Sequence, residues 1–226
     1  MTIAERVAVI TERIADSARA VGRSPSEVTL VAVAKRQPIE RIREALEAGI
    51  TDLGESTAQG LRNTQEALAD TGHRPTWHFV GALQRNKVNA VLGASRIIHS
   101  VDRASLADAL SDRSGADGVE VLVQVNIGRE PQKAGVAPEQ AVDFACEVAA
   151  KPGLRLRGFM ALPPATEEPE VHFEALGALS RALQEREAGR GATHLSMGMS
   201  EDFDKAIRCG ATIVRVGTAL FGPRTS

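Results

Sequence analysis

Short runs of β-branched and apolar residues recur along this chain, each followed by a longer stretch with helical spacing. That alternation is the strongest constraint on its fold, because it implies βα units joined into a parallel sheet. After an N-terminal helix near 2–21, strands are predicted at 28–34, 50–53, 76–81, 96–101, 119–127, 154–161, 193–197 and 212–216. Helices are predicted near 38–48, 57–69, 84–92, 103–113, 138–150, 168–188 and 201–209. Asp102 precedes one helix as a cap, Pro138 suits a first-turn position, and Gly49 follows EALEA as a helix stop. Many of the strands are continuous apolar runs, as strands covered on both faces require.

Eight such strands with helical crossovers predict an α/β chain folded as a single (β/α)8 TIM barrel with an extra N-terminal helix. Its 226 residues fall slightly below the usual size of about 250. The competing open, doubly wound sheet would show G-x-G-x-x-G after its first strand. Here VTLVAVA runs into KRQP, with no glycine. No stretch is rich enough in Gly, Ser or Pro to divide the chain, so residues 1–226 are expected to form one domain. RGFMALPPATEEP is the most loop-like segment.

Composition narrows the function classes. Twenty-seven basic against 29 acidic side chains leave a net charge of −2. That is no footprint for nucleic acid or an anionic membrane surface. Cys146 and Cys209 are too few for a disulfide framework, and free thiols fit a reducing cytoplasm. The first twenty residues carry acids throughout and lack a signal peptide's basic start. No apolar run is long enough to span a bilayer. A cytoplasmic monomer is the expectation. The five histidines show no metal-ligand spacing, and no G-x-S-x-G elbow is present. The chain has no tyrosine, so no phenol within it can act as an acid or base.

In a barrel, chemistry gathers at the C-terminal ends of the strands. Lys35 ends the first strand. A partly desolvated amine there is a nucleophile toward carbonyls; a lysine that merely snorkels to water is the plainer alternative. After the seventh and eighth strands lie Ser196, Ser200, Gly217 and Thr218. Small residues at these two loops commonly cradle a phosphate, or are simply turn formers. His78 lies within the third strand and Met160 near the end of the sixth. A reactive lysine facing a phosphate cradle would hold a small phosphorylated carbonyl, such as pyridoxal 5'-phosphate (PLP) or an aldolase substrate.

Six ordered blocks carry a resemblance: VAVAKRQP, WHFVGALQRNK, IIHSVD, VQVNIGREPQKAG, RGFMALPP and LSMGMSEDFDKAIRCGATIVRVGTALFG. Together they resemble the pyridoxal phosphate homeostasis protein family over nearly the whole chain. The resemblance implies a barrel like the N-terminal domain of alanine racemase, without that enzyme's second domain. It implies PLP held as a Schiff base on Lys35, phosphate contacts from Ser196, Gly217 and Thr218, and Arg215 near the pyridine nitrogen. His78 and Met160 complete the candidate cofactor-binding set. The implied role is intracellular PLP (vitamin B6) homeostasis without catalysis, with apo-PLP-dependent enzymes as recipients. A PLP-dependent amino-acid racemase is the alternative, and a Schiff-base aldolase without PLP a third reading. One departure is visible: the family's GENY-like motif is replaced by GEST, so Ser56 and Thr57 stand where asparagine and tyrosine are usual.

Overall fold

The computed structural model describes residues 1–115 and 117–222. Eight parallel strands close into a barrel in sequence order: β1 (Thr29–Val33), β2 (Asp52–Glu55), β3 (Thr76–Phe79), β4 (Ile97–Val101), β5 (Val119–Val125), β6 (Leu154–Ala161), β7 (His194–Ser196) and β8 (Ile213–Val216). Closure is made by β1 against β8, with Thr29 opposite Ile213 and Ala32 opposite Val216. The connecting helices are α2 (Ile39–Glu47), α3 (Ala58–Leu68), α4 (Val88–Leu92), α5 (Ala104–Ser111), α6 (Pro138–Ala149), α7 (Pro169–Gln184) and α8 (Phe203–Arg208), and α9 (Thr218–Phe221) follows β8. An N-terminal helix, α1 (Ile3–Arg19), opens on a capping box between Thr2 and Glu5. None of the helices is long and apolar enough to cross a membrane, among the described residues.

Alternation along each strand divides the apolar side chains into two sets. Ala32, Leu53, Phe79, Ile98, Val121, Phe159 and Val214 face outward and pack beneath the helices in the main core. Val31, Leu122, Met160 and Ile213 form a separate cluster inside the barrel, with Leu162 at its edge. Two close backbone approaches fix the sheet's shape. Gly158, at φ 140°, would put a Cβ 2.0 Å from the His194 carbonyl oxygen, so only glycine allows β6 to pair with β7 there. A Cβ on Gly81 would likewise fall 2.0 Å from the Ser56 oxygen, in the loop after β2.

Several boundaries differ from the sequence-based expectation. The second strand begins at Asp52 rather than at residue 50. Gly49 adopts φ 99° and the Ile50 amide bonds back to the Ala45 carbonyl, so ending α2 consumes those residues. Glu55 is therefore a strand residue. The first strand stops at Val33, which puts Lys35 in a turn with Arg36 at φ 56°. RGFMA belongs to β6, leaving LPPATEE as loop. Helix 84–92 opens with a 3-10 turn, Arg85–Lys87, and α7 ends at Gln184. The short helix α9 was not foreseen, because TALF is too short to show a period.

Candidate cofactor site at the barrel mouth

The C-terminal mouth of the barrel opens into a cavity of about 840 Å³. Val33, Val80 and Leu162 give it aliphatic walls. Arg215 enters from β8, and Ser200, Gly217 and Thr218 come from the loops after β7 and β8. A smaller indentation of about 190 Å³, walled by Ile50, Thr51, His73 and Arg74, lies at the opposite end of the barrel, away from the C-terminal strand ends where barrel sites gather. Loop β7–α8 takes its shape from two contacts. Gly198 turns at φ 90° where a Cβ would lie 2.6 Å from that of Ala206, and the Ser200 hydroxyl accepts the Ala219 amide at 3.0 Å. That second bond ties the loop after β7 to the start of α9. The amides of Gly217 and Thr218 find no acceptor in the chain among the described residues, as suits an anion cradle.

Arg215 is 5 % exposed, and complete burial of its guanidinium pulls its pKa down to about 10. Its hydrogen bonds go to neutral oxygens: the Ser196 hydroxyl at 2.6 Å and the Ala161 carbonyl at 3.0 Å. Its direct partners are therefore dipoles, and the one charge that acts to raise its pKa is the Asp202 carboxylate, which lines the same cavity. Lys35 is half-buried above β1. Its neighbour is Glu55, whose carboxyl is pushed up by burial against the pull of the Thr64 hydroxyl, the Ser56 amide and the Lys35 charge. Lys35 follows the cavity-lining Val33 by two residues and does not itself line the cavity. In the flanking loops, Gln37 Oε1 and Ser56 Oγ are buried without a partner. Buried cation, unpaired amides and orphaned polar oxygens together fit a phosphorylated, ring-nitrogen-containing group such as PLP.

Arg215, Gly217 and Thr218, of the predicted site residues, thus line one cavity, whereas Lys35 is not among its lining residues. Ser196, His78 and Met160 sit elsewhere. Met160 is 1 % exposed in the apolar cluster inside the barrel. The Ser196 hydroxyl points into the barrel, where it bonds His99 Nδ1 at 2.8 Å as well as Arg215. His78 Nδ1 lies 2.9 Å from His99 Nε2, and His78 Nε2 lies 2.9 Å from Asp52 Oδ1. His99 is held well below the ordinary histidine range by burial first, then by the charges of His78, Arg215 and His194. Burial raises the Asp52 carboxyl, but hydrogen bonds from His78 and Thr51 outweigh it and hold the group below its usual value. Sequence reasoning passed over His99 and Asp52 as site residues; the only signal was that inward-facing strand positions carried polar types.

A sequence profile described as "Alanine racemase, N-terminal domain" matches residues 9–225. The pyridoxal phosphate homeostasis protein of Pseudomonas aeruginosa is 42 % identical over 99 % of this chain and 96 % of its own length. That of Escherichia coli K12 is 39 % identical over 98 % and 97 %. PipY of Synechococcus elongatus, solved with PLP bound, superposes with a TM-score of 0.85 at 34 % identity, covering 98 % of this chain and all of that one. Alanine racemase from Corynebacterium glutamicum shares the fold at a TM-score of 0.71 and 18 % identity, this chain covering 62 % of it. The chain belongs to the alanine racemase N-terminal domain family, within its pyridoxal phosphate homeostasis protein branch.

Proposed function

We propose that this protein binds PLP in the mouth cavity, holds it as a Schiff base on Lys35 and serves intracellular PLP homeostasis without catalysing turnover. The observation that carries the reading is the cavity itself: a buried cation, Arg215, at one side and the unpaired amides of Gly217 and Thr218 at another, with Lys35 following the lining residue Val33 by two positions. PLP supplies an aldehyde that condenses with amines and a ring able to take up electrons. Gly217, Thr218 and Ser200 take the phosphate. Val33, Val80 and Leu162 exclude water from the ring. The Lys35 amine would be the group that condenses with the aldehyde, with loss of water. Glu55, with its raised carboxyl, is the adjacent proton store for that amine.

Arg215 argues for storage over turnover. A cation beside the ring nitrogen disfavours protonation there and weakens the electron sink that catalysis draws on. The chain also has no tyrosine to act as a second base. Release to apo-enzymes, a cytoplasmic location and a monomeric state complete the reading. Borohydride reduction of the PLP-loaded protein, followed by peptide mass mapping, tests it. A pyridoxyl mass on the peptide containing Lys35, lost in Lys35→Ala, is the expected result. Label elsewhere, or sustained racemisation of single alanine enantiomers that Lys35→Ala abolishes, would sink the carrier reading.

A further inference from the structure

The line of polar side chains inside the barrel takes no part in the function just proposed, yet it ends on Arg215. It climbs from Asp52, the first residue of β2, through His78 on β3 and His99 on β4. It then crosses the barrel to Ser196 on β7 and Arg215 on β8. Donor and acceptor chemistry fixes its direction. A guanidinium has only N–H groups to offer, so Ser196 Oγ must accept from Arg215. Ser196 is fully buried, and its one other side-chain partner among the described residues is His99 Nδ1, so its hydroxyl proton goes there. His99 Nδ1 is then an acceptor, and its single proton sits on Nε2. That proton is donated to His78 Nδ1, which leaves His78 with its own proton on Nε2, pointing at Asp52. A carboxylate held ionised needs that proton as its donor. The direction demanded at the guanidinium end is thus the one demanded at the carboxylate end.

We propose that Asp52, His78 and His99 are positioning residues for Arg215. The carboxylate at the base of the barrel fixes both imidazole tautomers, and they in turn present Ser196 Oγ as the acceptor that holds the guanidinium at the cavity. A second proton on either ring makes His99 Nδ1 a donor to Ser196 Oγ, which then accepts from His99 and Arg215 together and is left with its own buried hydroxyl proton unpartnered. The groups facing these rings are Asp52 from β2, Ser196 and His194 from β7, and Arg215 from β8. Cation crowding on that side opposes the second proton.

The arrangement rests on the geometry alone; its bearing on the cofactor rests on the function proposed above, and the experiment separates the two. Histidine-selective isotope labelling and nitrogen NMR of the protein without PLP read the tautomers directly. Both His78 and His99 are expected as neutral Nε2–H forms at neutral pH. Asp52→Ala should leave the two rings without a single tautomer. It should also weaken PLP binding about tenfold, the worth of one hydrogen bond to a charged group, with Lys35 still trapped by borohydride. Ser196→Ala, which removes the acceptor without touching the base of the barrel, should weaken PLP by the same factor and guards against an unfolded Asp52→Ala. An Nδ1–H or doubly protonated ring in the wild type overturns the proposal. So do variants that disturb the tautomers yet bind PLP as the wild type does. A wild type that binds no PLP defeats the carrier reading instead, and the tautomers still decide the direction of the line.

Discussion

The two faces of the same eight strands are built on opposite principles. The outer face is mostly apolar and meets helices: Phe79, Ile98, Val121 and Phe159 are at most 1 % exposed, and Glu55, bonded by Thr64 of α3, is a polar exception. The inner face is divided. Val31, Leu122, Met160 and Ile213 make an apolar plug, and beside it runs a line of five hydrogen-bonded polar residues from Asp52 to Arg215. Apolar burial is non-directional, so the outer face can supply stability with many interchangeable side chains. Hydrogen bonds inside the barrel are directional and leave a costly orphan if one partner goes. Stability and site geometry are therefore carried by different surfaces of one sheet.

That division can be tested. Phe159→Ala, on the outer face, should cost about 3–5 kcal/mol of stability in chemical denaturation, with PLP affinity in the remaining folded protein unchanged. A loss under about 1 kcal/mol would mean that the outer face is not where stability lies. Acid should act on the polar line instead. The His99 pKa is depressed by folding, so the unfolded chain binds more protons below about pH 6.5, the unfolded histidine value. Stability should then fall as pH drops from there, by up to about 1.4 kcal/mol per pH unit for that group. Denaturation midpoints measured at several values between pH 7 and pH 5 should show the slope. His99→Phe should flatten it; a slope unaltered by that change would assign the acid sensitivity elsewhere. The smallest effect belongs to the plug. Met160→Leu conserves volume and should cost less than about 1.5 kcal/mol, with PLP binding intact. A large loss of PLP binding there would place Met160 in contact with the cofactor.

The barrel was legible because its alternation is repeated eight times, and a misplaced boundary in one strand leaves the pattern standing. The places of Arg215, Gly217 and Thr218 at the barrel mouth, and of Lys35 just after β1, were legible because the ends of β1 and β8 and their loops are fixed by local sequence. The β7 side was harder. Ser196 and Ser200 are both small polar residues after an apolar run, and only the three-residue length of β7 decides that Ser196 turns inward while Ser200 reaches the cavity. The line behind Arg215 was hidden for another reason. His99 and Ser196 are 97 positions apart on strands that face each other across the barrel, and no local pattern encodes such a meeting. Asp52 was missed because attention to the C-terminal ends of strands overlooks a carboxylate at the base.

Closure of the barrel by β1 against β8 has a bearing on how the molecule is made. Lys35 leaves the ribosome early, whereas Arg215, Gly217 and Thr218 leave it only after seven strands have been synthesised. Until β8 emerges, β1 has a bare edge and the amine at its end has no phosphate cradle opposite it. The cavity lined by Arg215, Gly217 and Thr218 is therefore assembled only when synthesis is nearly complete, so any ligand of that cavity meets a finished barrel.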